Sequence, residues 1–446
     1  MPSMKKLTAF LSAALLAGAA GAADLLQVYR LALDNDPQFL AARHLADAGR
    51  EKEAQGLAGL LPTLGASANT QWNDLRRDVN GLGSTKADYN SHGYTVTLSQ
   101  PVFRWQNVVA WKQGKAQAAQ AETQFAQARQ DVILRVAQAY FDVLYAEENL
   151  RALQAQKKAI AQQLEQAKKN FEVGTATIVD THEAQSRFDL ATAQEIAADS
   201  DLEIKRRALE VIVGRDPGAL AQLRDKAALE RPQPEALAPW VAAAENDALA
   251  VQLQQLAVEL AAREVERNRA GHYPTLDAVV TNGNAAQNAS LPLIGSNNGF
   301  GSELRSTTAA LQLNIPLYQG GVVNSRTREA AANREAARQQ LEAARRNAAQ
   351  AARQAWLGVA NGTAQVAALK AALVSSQSSL ESNKLGYEVG VRIGIDVLNA
   401  EQQLYATRRD LARAWYDTLL AQLRLKAAVG TLEEADLARV NALLAQ

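Results

Sequence analysis

The 446-residue chain has no cysteine. That excludes disulfides, thiolate metal sites and a lipid anchor on a cysteine, so packing and association must stabilise it. Histidine is nearly as scarce. His44, His92, His182 and His272 are scattered without metal-ligand spacing, and neither a metal nor a cofactor is expected. Charge of one sign is lacking too: 47 basic side chains balance 47 acidic ones. With no strongly basic stretch, nucleic acid is not an expected partner. No GxSxG, phosphate loop or zinc signature occurs, and no acid, base and nucleophile stand together, so an enzyme is not expected. Glu147, Glu148, Glu165, Glu203, Lys205, Arg206 and Arg207 read as solvated helix faces.

Long apolar runs are almost missing. The exception is the start, where Lys5 and Lys6 precede an apolar stretch from Leu7 to Ala20 and the small residues Gly21-Ala22-Ala23. The stretch falls short of the ~20 residues of a spanning helix and reads as an export signal over residues 1–23. No later segment reaches ~18 consecutive apolar residues, so no helix is expected to span a bilayer. Any membrane contact falls to β-strands. Proline is absent between Pro101 and Pro217 and again after Pro316, which leaves room for very long helices.

What is there comes twice. Leu61-Pro62-Thr63-Leu64 opens a strand pair ending at Pro101, followed by a long helix to Val173-Gly174-Thr175 and another to Val213-Gly214. Tyr273-Pro274-Thr275-Leu276 opens a second pair ending at Pro316, followed by helices to Val389-Gly390-Val391 and Val429-Gly430. The glycine landmarks keep one spacing: 390 − 174 and 430 − 214 both equal 216. The chain therefore divides into a first repeat over 24–230, a proline-rich linker over 231–239 and a second repeat over 240–446. Asn35-Asp36-Pro37 marks a break and a fresh start within the first helical segment.

The strands show a period of two. Leu64, Ala66, Ala68, Thr70 and Trp72 share one face, and Gly65, Ser67, Asn69, Gln71 and Asn73 the other. Val96 and Leu98 alternate with threonine and serine, and Leu311, Leu313 and Ile315 with Gln312 and Asn314. Four strands are expected, at about 64–74, 90–102, 275–286 and 304–316, joined in pairs by the loops Asn80 to Ser84 and Asn288 to Gly301. The third is the weakest, because Val279 breaks its alternation. One apolar face and one of small uncharged residues suit a membrane barrel around a watery lumen. Trp72, Phe103, Trp105, Tyr273 and Tyr318, near strand ends, read as interfacial aromatics.

The helices carry a heptad. Val132, Val136, Ala139, Val143, Ala146, Leu150, Leu153, Lys157, Ile160, Leu164, Ala167 and Phe171 alternate in steps of four and three. Ala348, Ala352, Ala355, Val359, Gly362, Val366, Leu369, Leu373, Ser376, Leu380, Asn383 and Tyr387 repeat the register. A 3.5-residue period implies left-handed coiled-coil packing. A hairpin sends both its ends out on one side, so the helices hang from one side of the strands, and four strands cannot close in lipid without open edges. Several chains must share a barrel. The fold expected is mixed α and β, mainly α: long coiled-coil helices plus four membrane strands per chain.

Leu25-Leu26-Gln27-Val28-Tyr29, Gly271-His272-Tyr273-Pro274-Thr275-Leu276-Asp277, Pro316-Leu317-Tyr318-Gln319-Gly320-Gly321, and Gly386-Tyr387-Glu388-Val389-Gly390 with Ile395-Asp396-Val397-Leu398 follow one another in order. Together they resemble the TolC-type outer-membrane efflux ducts over almost the whole chain. The likeness implies a homotrimer, with a twelve-strand barrel in outer-membrane lipid of a Gram-negative bacterium and a helical tunnel in the periplasm. It implies a passive exit duct for tripartite efflux, type I protein secretion or both. The implied partners are a periplasmic adaptor and an inner-membrane RND or ABC transporter. The rival reading is a periplasmic coiled-coil tether or adaptor without a pore, against which the strand pairs weigh.

By the same likeness, Asp180, Tyr387, Arg392, Asp396 and Asn399 belong to a periplasmic gate. Asp180 and Asp396 are again 216 apart, and an aspartate at a helix start caps as readily as it gates. Asn399 stands where close family members often carry a second aspartate, which implies one ring of carboxylates and a weaker cation preference. Val179 replaces a hydroxyl residue that takes part in closed-state hydrogen bonds. Val173, Gly174 and Thr175 with Val389, Gly390 and Val391 match the tips that meet the adaptor, and the glycines also fit plain helix C-caps.

Overall fold

The chain was analysed as a computed structural model, which describes residues 22–80, 83–175, 177–224, 229, 231–289 and 300–444. Residues 1–21 of the export signal expected over 1–23, and part of each expected hairpin loop, lie outside the described residues. The first helix, α1 (Leu25–Asn35), starts on a capping box in which Asp24 and Gln27 bond each other's amides at 2.7 and 3.3 Å. Asp36 ends it and starts α2 (Pro37–Ala58), accepting from the Gln38 amide at 3.0 Å, with proline in the first helical position. Then come β1 (Thr63–Val79), β2 (Gly83–Phe103), α3 (Trp105–Glu172) and α4 (Ile178–Val213). The rest is α5 (Leu237–Asp247), α6 (Leu249–Arg269), β3 (Thr275–Gln287), β4 (Ser302–Asn314), α7 (Val322–Glu388), α8 (Gly394–Ala428) and α9 (Glu434–Asn441).

The chain forms two compact units. One comprises Leu45–Thr123 and Leu253–Glu342. It holds a single antiparallel sheet in the order β1-β2-β3-β4. The register puts Leu64 opposite Leu98, Leu98 opposite Val280 and Val280 opposite Ala309. Facing residues of an antiparallel ladder share a side, so Leu64, Ala66, Val96, Tyr94, Leu311 and Leu313 form one apolar face. It is open: Leu64 is 73% and Leu311 73% exposed. β1 and β4 each pair on one side only, leaving two free edges among the described residues. The junction with the helices is pinned by Arg104, whose guanidinium donates to both oxygens of buried Asp277 at 2.7 and 2.6 Å.

The first hairpin is longer than its apolar alternation indicates. Past Trp72 the ladder continues through Asp74 opposite Asp88 and Arg76 opposite Lys86 to Val79 opposite Gly83. Backbone pairing does not need apolar side chains, and Lys86 lies 3.7 and 3.4 Å from the two aspartates. β4 ends at Asn314, ahead of Ile315 and Pro316.

The other unit comprises Met1–His44, Gln124–Gln252 and Ala343–Gln446. Its core joins Leu25, Val28, Tyr140, Phe141, Leu209, Leu419, Leu423 and Leu437. The Tyr140 hydroxyl, fully buried, donates to the Ala221 carbonyl at 2.8 Å, and burial pushes its pKa up. The heptad positions Val132, Val136, Val143, Ile160, Leu164, Val359, Val366 and Leu380 are buried. Lys157, the polar member of the first seam, reaches Glu195 at 2.8 Å and sits over the Phe188 ring.

α7 holds no run of ~18 consecutive apolar residues, as expected, yet passes a looser criterion for a membrane-crossing helix. By length and composition it qualifies, with a stretch of mean hydropathy 1.2.

Candidate functional site

The two helix turns of the Met1–His44, Gln124–Gln252, Ala343–Gln446 unit end in the same way. Gly174 and Gly390 take φ of 79° and 76°, a left-handed conformation that suits residues without a Cβ. The Thr175 amide donates to the Asn170 carbonyl and the Val391 amide to the Gly386 carbonyl, each at 2.8 Å. Those six-to-one bonds satisfy the last carbonyls of α3 and α7. The turns then leave apolar side chains in solvent. Val173 is 72%, Val389 65% and Val391 78% exposed, beside exposed Ile178, Val179 and Ile393.

The starts of α4 and α8 differ. Thr177 and Asp180 form a capping box, with the Asp180 carboxylate accepting from the Thr177 amide at 2.9 Å and its hydroxyl at 2.8 Å. The capping role open to Asp180 is thus occupied. At α8, Ile393 offers no side-chain cap. Asp396 sits in the first turn, favoured there by the helix dipole, with the Arg392 guanidinium 3.7 Å away. The Arg392 stem lies against Gly386, where a Cβ would come within 2.7 Å of it.

Tyr387 packs against Leu380, Val397 and Leu404, and its hydroxyl accepts from the Asn170 side chain at 3.2 Å. It therefore links α7 to both α8 and α3. Asn399 does not stand alone. Its carbonyl oxygen accepts from Arg187 of α4 at 3.1 Å, and the same guanidinium donates to Gln402 at 3.2 Å and to Glu183 at 3.0 Å. Two residues on from Asn399, Glu401 of α8 meets Lys384 of α7 at 3.0 Å. The Glu401 side chain is 3% exposed, and its second oxygen has no hydrogen-bond partner among the described residues. Ile160, Ala191 and Leu398 close the packing between α3, α4 and α8.

Sequence reasoning missed Arg187, Asn170, Lys384 and Glu401. The only local signal was the i,i+4 pair Glu183–Arg187, which reads as ordinary helix surface. Of the aromatics expected at a membrane interface, Trp72 and Tyr318 are 82% and 86% exposed, and Phe103 and Tyr273 are also exposed. Trp105 is half-buried, and its indole N–H donates to Glu266 at 3.2 Å.

The family model described as Outer membrane efflux protein matches residues 28–215 and 240–431. The outer membrane protein TolC of Vibrio cholerae serotype O1 is 34% identical over 98% of this chain and 98% of its own. The alkaline protease secretion protein AprF of Pseudomonas aeruginosa is 34% identical over 94% of this chain and 86% of its own. Among solved structures, the Campylobacter jejuni CmeC outer membrane channel superposes with a TM-score of 0.79. The alignment covers 94% of this chain and 89% of that one at 17% identity, a likeness of fold. The chain is an outer-membrane protein and belongs to the outer membrane efflux protein family.

Proposed function

We propose that three copies of the mature chain, freed of residues 1–23, join their sheets into one barrel in the outer membrane. Four strands from each of three chains give twelve. The observation that carries this reading is the sheet itself. It has two free edges and an exposed apolar face, and lipid tolerates the second only when the first are paired. The repeats 24–230 and 240–446, joined by 231–239, each supply two strands and two long helices. The helices of three chains line a periplasmic tunnel. The protein is a passive exit duct for tripartite efflux, type I protein secretion or both, with energy supplied by an inner-membrane RND or ABC transporter. The name of the Pseudomonas aeruginosa relative, a protease secretion protein, supports the secretion arm.

The exposed valines around Gly174 and Gly390 are the docking surface for a periplasmic adaptor, since an apolar patch of that kind marks an interaction site. Tyr387, Arg392 and Asp396, with Asn399, hold the tunnel mouth closed. Asp180 shapes the neighbouring turn. Because Asn399 is neutral, the mouth carries one ring of carboxylates.

The test is conductance of the purified mature protein in planar bilayers. The wild type is expected to conduct weakly, and Arg392→Ser or Tyr387→Phe to conduct more. A water-soluble monomer without conductance would overturn the duct. Unchanged conductance in both variants would remove these residues from the gate.

A further inference from the structure

We propose that the sheet-bearing unit holds a binding niche for the phosphate of an anionic glycerophospholipid, at the foot of β2 between α3, α6 and α7. A cavity of about 460 Å³ opens there, within the size range of small-ligand sites. Its walls are Phe103, Trp105 and Tyr273, and its floor is Ala262 and buried Val265 of α6.

Its charged rim is unbalanced. Glu266 is fully engaged, one oxygen taking the Trp105 indole N–H at 3.2 Å and the other Arg263 at 3.3 Å. Arg334 shares Glu335 with Arg338, at 2.7 and 3.0 Å. Arg269 lines the cavity, is exposed, and has no carboxylate partner among the described residues. Lys112, also without a carboxylate partner among the described residues, adds a second cation 5.3 Å from the centre of the Trp105 ring. Guanidinium groups bind phosphate oxygens in pairs, and Arg269 and Arg334 both border the same space.

The surroundings identify the phosphate as a lipid's. Phe103 pairs with Leu276 and Leu276 with Leu313, so the mouth of the cavity continues the apolar face that rises through Leu98 and Leu64. Aromatic rings beside cationic groups at the end of such a face match the headgroup level of a bilayer. An acyl chain would run up the face while its phosphate meets Arg269. The inference rests on the proposed membrane-spanning sheet.

The experiment uses the mature wild-type protein in nanodiscs of mixed phosphatidylglycerol and phosphatidylcholine, released for native mass spectrometry. Parallel samples carry Arg269→Gln with Arg334→Gln, or Lys86→Gln as a charge control far from the niche. The wild type and the control are expected to keep phosphatidylglycerol over phosphatidylcholine, with retention about tenfold lower in the double variant. Far-UV circular dichroism checks that the variant remains helical; for a variant that does not, Arg269→Gln alone, at an exposed position, takes its place. Equal retention in wild type and variant, no preference between the lipids, or the same loss in the control would overturn the niche. Excess inorganic phosphate is expected to leave the lipid in place; displacement would make this a free-anion site and refute the lipid assignment. Wild-type conductance in planar bilayers reads the duct separately. Its presence with no lipid preference sinks the niche alone, and its absence sinks both.

Discussion

The arginine that sequence reasoning passed over is expected to matter more to closure than the one it singled out. Arg187→Ala removes two hydrogen bonds from α4 to α8, at 3.1 Å to Asn399 and 3.2 Å to Gln402. Hydrogen bonds from a charged donor are worth about 1.5–3 kcal/mol each, and the Arg187 side chain, 23% exposed, falls at the lower end. Allowing for water replacing part of what is lost, the change is about 2 kcal/mol per chain, or about thirtyfold in the balance between closed and open. Arg392, by contrast, sits 3.7 Å from Asp396 with its side chain 58% exposed, and exposed pairs contribute at most about 1 kcal/mol.

Single-channel recordings at low and high salt separate the two. Arg187→Ala is expected to raise resting conductance more than Arg392→Ser and to depend less on salt, because its acceptors on α8 are neutral amides. Arg187→Lys keeps the charge but offers one ammonium to two acceptors, and an intermediate conductance is expected. A closed Arg187→Ala channel beside an open Arg392→Ser channel would refute the reasoning.

Three further predictions concern stability. A Cβ on Gly114 would lie 2.3 Å from the Lys52 carbonyl oxygen, so Gly114→Ala must part α2 from α3; overpacking of about 1–3 kcal/mol outweighs a helix-propensity gain of about 1 kcal/mol. Gly358→Ala meets only the Ala421 methyl at 3.4 Å and is expected to be neutral or stabilising, both read as the loss of helical circular dichroism on heating. Lys384→Met leaves the buried Glu401 carboxylate without its cation and is expected to cost about 3 kcal/mol in chemical denaturation, while Lys384→Met with Glu401→Leu recovers most of it.

Much of the architecture was legible because it is written in periods. The heptad residues Val132, Val136 and Val359 are buried where a 3.5-residue repeat places them. The alternation from Leu64 to Trp72 marks a true face of the sheet, but it stopped short of the ladder's end. Charged residues from Asp74 to Asp78 carry no signature of pairing, since what pairs there is backbone. β3 pairs in register through Val279, opposite Ser99 and Ala310, although its alternation is poor. The neighbour strand dictates register where the side chains do not.

The candidate site was legible only where its contacts are local. Thr177 and Asp180 are three residues apart, and their capping box follows from spacing alone. Arg187 and Asn399 are 212 apart, and Asn170 and Tyr387 are 217 apart, so no local rule joins them. The same comparison separates two aspartates that the sequence made equivalent. Asp180 has its carboxylate tied to the start of its own helix; Asp396 follows an Ile393 that caps nothing and faces an exposed arginine. The start of α8 thus lacks the local fixing that α4 has, and depends on Arg187 and Lys384 reaching it from other helices. Cross-helix bonds are lost when coils separate, whereas a capping box moves with its helix. Of the two tips, the one built on α7 and α8 is therefore the one a pulling partner would release first, and the bonds it would break are those of Arg187 to α8 and of Asn170 to Tyr387.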